Sequence, residues 1–154
     1  MTSFADASAA PTEIVIDQKK WLLHPMDNDD FGVLQRWVED RLMDIARRNC
    51  EGLPVEVQKG LMESAYAKAV TVTMFDAITI RHLGTLEGTV KMVWLSARKS
   101  DPSITENDVH KALMADPAAM ERASAKIPGV GNPFVPSPAS KRGKVPKTSK
   151  SRRA

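Results

Sequence analysis

Histidines, cysteines and grouped carboxylates carry most side-chain chemistry, and this chain has three histidines, His24, His82 and His110, and one cysteine, Cys50. Zinc sites need ligands a few residues apart, and none of the three histidines has a partner at that spacing. Cys50 lies between Asn49 and Glu51, where a nearby acid disfavours the thiolate, so an ordinary half-buried thiol is expected. A lone cysteine forms neither an internal disulfide nor a cysteine zinc site, which agrees with a reducing compartment. Asp27, Asp29 and Asp30 could hold a cation, but carboxylates grouped at a helix start are expected to act as caps and dipole partners. Gly129, Val130 and Gly131 precede no helix and so make no phosphate loop. The expectation is a protein without a catalytic set, a metal or a cofactor.

Charge offers a different chemistry. Residues 127 to 154 hold Lys141, Arg142, Lys144, Lys147, Lys150, Arg152 and Arg153 and no acid. Removing those seven from the 22 basic residues leaves 15 against 19 acidic side chains in residues 1 to 126, a net of −4. The pI near 9.1 therefore describes the tail, and the body is mildly acidic. Seven cations could release counterions from nucleic acid or meet another acidic surface. Phe134 is the tail's one aromatic and precedes the charge run, so a base-stacking platform is not expected. A solvated, solubilising tail stands level with those contacts.

The elements that position these groups follow from pattern. At 154 residues, 42% hydrophobic and 27% charged, the chain suits one small domain. Aromatics are 5% against eight methionines, which favours a deformable helical core. The expected fold is mainly α, four to five helices with an N-terminal β-hairpin and disordered termini. Residues 1 to 12, rich in Ala, Ser and Thr, read as a flexible leader without the features of a signal peptide. Residues 13 to 126 form the domain, and the Pro-rich residues 127 to 154 form a linker or arm. No apolar run approaches the roughly 18 residues of a membrane span.

Ile14, Val15 and Ile16, then Trp21, Leu22 and Leu23, predict a two-stranded hairpin that must lie on a helix. Phe31, Leu34, Val38, Leu42 and Ile45 draw one helical stripe from the Asp27 to Asp30 start to about Arg48. Gly52 and Pro54 separate it from a second helix running from Val55 to about His82 on Met62, Tyr66, Val70, Met74, Ala77 and Ile80. The β-branched residues 70 to 73 could equally be a strand. A third helix carries Leu86, Val90, Val93, Trp94 and Ala97 and ends at Ser100, Asp101 and Pro102. Thr105 and Asp108 form a capping box, with Ile104 and Val109 as hydrophobic staple, for a helix to about Met114. Asp116 and Pro117 start a last helix to about Ala125.

On the third helix, Trp94 sits in the stripe and is expected to anchor the core. Met92 and Leu95 lie off its centre and are expected to face a partner, with Arg98 and Lys99 as a polar rim. The competing reading is that the methionines fill the core.

The stretch from Gly88 to Val109, a helix, a proline break at Pro102 and an acidic-capped helix, resembles tail assembly chaperones of long-tailed bacteriophages and prophages. Ile14 to Trp37, with its hairpin, the Leu23-His24-Pro25-Met26 exit and Asp29-Asp30-Phe31-Gly32, is also similar to the start of such proteins. The resemblance covers about residues 13 to 114. It implies a non-enzymatic helical protein in the host cytoplasm that coats the tape-measure protein and brings tail-tube subunits to it. The basic terminus is not part of that resemblance, and the alternative is a small structural or nucleic-acid-contacting phage protein.

Overall fold

A computed structural model describes residues 10 to 74 and 76 to 127. The expected leader and basic tail lie almost wholly outside them, and Lys141, Arg142, Lys144, Lys147, Lys150, Arg152 and Arg153 entirely so. The chain opens with β1 (Thr12–Ile16) and β2 (Lys19–Leu23), paired antiparallel with Ile14 opposite Trp21. Asp17 and Gln18 take left-handed φ of 48° and 61°, the two-residue turn whose twist matches the strands. Alternation then puts Ile14, Ile16, Trp21 and Leu23 on the buried face and leaves Val15 and Leu22 outside.

Among the described residues six helices follow: α1 (Asn28–Asn49), α2 (Val55–Ala69), α3 (Ala77–Leu83), α4 (Leu86–Ala97), α5 (Glu106–Ala115) and α6 (Ala118–Lys126). The mainly helical fold with its N-terminal hairpin is as expected. Both α1 and α5 start on a capping box, Asp27 with Asp30 and Thr105 with Asp108, each satisfying otherwise unpaired amides of a first turn.

One long element is corrected. The helix expected from Val55 to His82 stops at Ala69, and α3 starts separately at Ala77. The Thr71 hydroxyl donates to Lys68 O at 2.9 Å and occupies a carbonyl the next turn would use. Thr73 N–H donates to the Asp76 carboxylate at 2.8 Å, and Thr79 Oγ1 donates to Thr73 O at 2.7 Å. The β-branched run, weak in helices, thus becomes a folded connection with Val72 buried. Tyr66 and Val70, expected in a core stripe, are exposed.

The core lies between the inner hairpin face and a layer of helices around α4, which contacts β2, α1, α3, α5 and α6. A helix surrounded in this way is buried nearly all round. Met92 and Leu95 are 4% and 0% exposed, so both are core and neither faces outward as the stripe suggested. Trp94 is the half-buried one. Its indole N–H donates to Ile104 O at 3.0 Å, and Lys91 and Arg98 sit over the ring at 5.1 and 4.6 Å. Trp94 packs against the core from its edge, and Met92 and Leu95, expected to face a partner, lie deeper than it does.

Candidate functional site

The titratable residues singled out in the sequence stay apart. His24 follows β2, His82 lies in the last turn of α3 and His110 is exposed on α5. Among the described residues no three His, Cys, Asp or Glu side chains gather as a metal site. Burial, then the Arg41 and Arg81 charges, pushes His82 below its ordinary value. Cys50 is buried where α1 turns toward α2, with its thiol near Gln58 O.

Arg98 and Lys99, expected as a rim around a partner, instead fasten the start of α1 to the end of α4. Asp30 is 1% exposed and accepts from Lys99 Nζ at 2.6 Å and from Arg98 Nη2 at 3.3 Å. Lys99 Nζ also reaches Asp27 Oδ2 and Pro25 O, each at 2.9 Å. The hairpin exit completes the joint: His24 N–H donates to Ser96 O at 3.1 Å, Ser96 Oγ donates to His24 O, and the His24 ring pairs with Ser100 Oγ. A carboxylate buried this deeply is tolerated because two cations and the Asp27 N–H satisfy it. Sequence spacing could not have found the pair, since Asp30 and Arg98 are 68 residues apart.

The cluster makes a pH prediction. The Asp30 N–H, and then Lys99, hold the Asp27 carboxyl down from 3.8 to about 2. Burial pulls the Lys99 ammonium down, but the hydrogen bonds it donates to Asp30 and Asp27 outweigh this and raise it above 10.5. The Asp27 contribution is therefore present above pH 3.8 and lost as pH falls toward about 2. That of Lys99 is present below pH 10.5 and lost as pH rises through its raised folded value. His82 adds a shallower acid loss that begins near 6.5. Melting temperatures should thus plateau between these limits, and Lys99→Met should flatten the alkaline decline. A Lys99→Met protein that declines above pH 10.5 as steeply as the original would show that another group is responsible.

An available surface lies elsewhere. Phe31, Leu34 and Trp37 of α1 join the main core, whereas Leu42, Met43 and Ile45 run past it and are only half-buried. There α1 pairs with α2, which packs on no other element to a comparable extent. The two make a helical arm with Val38, Cys50, Ala69 and Val72 buried outside the main core. On α2 the inward seam is Gln58, Met62, Ala65 and Ala69, and the remaining apolar residues face outward. Val55, Val57, Leu61, Tyr66 and Val70 are 76%, 47%, 45%, 61% and 52% exposed. With Leu53 they are six of the ten exposed large hydrophobics among the described residues. Scattered exposure is ordinary; here Val57 and Leu61 lie on one flank of the α2 seam and Val55, Tyr66 and Val70 on the other.

Compared with known proteins, the chain matches no family model, no curated protein and no solved structure.

Proposed function

We propose that the protein is a non-enzymatic interaction protein of phage tail assembly. In this reading it holds the tape-measure protein soluble in the host cytoplasm and brings tail-tube subunits to it. The observation that carries the reading is the α1–α2 arm, whose outward apolar residues suit a long amphipathic client. Val57 with Leu61 on one flank of α2, and Tyr66 with Val70 on the other, each offer two apolar side chains one turn apart to a client helix. The resemblance of residues 13 to 114 to tail assembly chaperones supplies the identity of the client. No helix among the described residues is long and apolar enough to cross a membrane.

Co-expression with the tape-measure protein should raise that protein's soluble fraction and let the two co-purify. Leu61→Glu should abolish both effects while leaving the melting temperature nearly unchanged, because the side chain is exposed. Unchanged client solubility with the unmodified chain would overturn the reading.

A further inference from the structure

We infer that α2 opens from α1 as a unit of its own, starting at the Pro54 end, while the hairpin and the other helices stay folded. The inference rests on how the arm is packed and is independent of any client.

Two observations carry it. The first is how little holds α2. Of its 15 residues only Ala69, in the last turn, is buried. Gln58, Met62 and Ala65 along the seam are half-buried, and no element but α1 packs on the helix to a comparable extent. Among the described residues every ion pair lies outside 53 to 70. The side-chain hydrogen bonds that involve α2 stay at its ends: Gln58 Nε2 donates to Leu53 O at 2.7 Å, the Cys50 thiol lies 3.9 Å from Gln58 O, and Thr71 Oγ1 donates to Lys68 O at 2.9 Å. By contrast α4 buries eight of its 12 residues, and the Asp30 contacts with Arg98 and Lys99 fasten the start of α1.

The second is that the helix is weak in itself. Its N-cap is Pro54, with no side-chain bond, where Asp27 and Thr105 each satisfy a first-turn amide of α1 and α5. Gly60 sits in its interior with nothing inside 4 Å of its Cβ position, so it weakens the helix and serves no close approach. At 15 residues α2 is near the length below which an isolated helix is marginal in water. Once the seam parts, therefore, α2 melts and does not swing out as a rod. An element so lightly covered opens at lower free energy than the core unfolds. Ala69, and Val72 beyond it, are buried, so the far end holds longest and opening runs from the tip. The apolar seam of α1 that meets α2 is then accessible only in the opened form.

Cys50 reports the opening. It is the chain's one cysteine, it is 4% exposed, and its thiol lies against Gln58 of α2, so an aromatic disulfide reagent reaches it when α2 lifts. The test is the rate of that labelling on the full chain, at reagent concentrations where rate is proportional to reagent, with native-state hydrogen exchange of α2 and α4 alongside. Gly60→Ala should slow labelling by about fourfold, and Ala67→Gly, at an exposed position, should speed it by about the same factor. Amides of residues 59 to 66 should exchange about a hundredfold or more faster than those of residues 90 to 97, after allowance for intrinsic rates. Trp94→Ala, which weakens the body, should speed exchange in α4 yet leave Cys50 labelling within about twofold. Equal protection of α2 and α4 overturns the inference. So does a Cys50 rate indifferent to both α2 variants, or one that rises with Trp94→Ala as much as exchange in α4 does, since the thiol is then uncovered only by unfolding of the whole.

Discussion

Gly88→Ala is expected to destabilise the protein by about 3 kcal/mol, near the upper end of what overpacking costs. The change would look harmless in isolation, because alanine in place of glycine usually gains about 1 kcal/mol inside a helix. Here the space is taken. A Cβ on Gly88 would meet His82 O at 2.3 Å, Leu83 Cα at 2.6 Å and Leu83 O at 2.7 Å. All three are backbone atoms, so no rotamer change relieves the contact. His82 O is also fixed in place, since it accepts from Thr85 N–H at 3.2 Å and from Thr85 Oγ1 at 2.6 Å. The Thr85 side chain in turn accepts from Gly88 N–H at 3.1 Å as the cap of α4. Making room therefore means opening the α3–α4 turn, with the loss of that cap and of the packing of Leu83. For a domain of this size the melting temperature should fall by about 10 °C. Gly60→Ala is the control. Gly60 lies within α2 with nothing inside 4 Å of its Cβ position, so that change should stabilise by about 0.5 to 1 kcal/mol. If both variants melt alike, the close approach of α3 and α4 is wrong.

The legible parts of this fold are those fixed by neighbours in sequence. Alternation chose the inward hairpin residues Ile14, Ile16, Trp21 and Leu23 because successive strand side chains point to opposite faces. The Thr105 and Asp108 box was readable because both hydrogen bonds close within four residues. The end of α2 was harder to see, since no glycine or proline marks it. Its signal was the β-branched run from Val70, but the stop itself comes from Thr71, Asp76 and Thr79 bonding to backbone. The Asp30 contact with Arg98 and Lys99 was invisible, because nothing local relates the two ends of α1 and α4. The arm was hidden for another reason. Periodicity shows which residues share a helix face, not whether anything covers that face, so Tyr66 and Val70 read as core and are exposed.

On α4, Leu95→Ser should cost about 4 kcal/mol, Met92→Ser about 3, and Trp94→Ala only about 2. A single apolar stripe centred on Leu86, Val90, Val93, Trp94 and Ala97 puts Met92 and Leu95 on the outside. Yet Glu87 and Lys91 are the only charged residues between Leu86 and Ala97, and a helix with so few charges and small residues all round is usually central. In the structure Gly88, Thr89, Val90, Met92, Val93, Leu95, Ser96 and Ala97 are all buried. Leu95 has no exposed surface; serine there removes most of an isobutyl group, leaves a cavity and buries a hydroxyl without an assured partner. Met92 is nearly as deep but flexible, and neighbours collapse more readily around its loss. Trp94 is larger, but its ring stands at the edge of the core between Lys91 and Arg98, and water can replace part of what truncation removes. The loss of its bond to Ile104 O is included in the smaller figure. Chemical denaturation of the three variants tests the order directly. If Trp94→Ala is the least stable, or Leu95→Ser melts near the original protein, α4 presents one stripe to the core and its far side is free to bind.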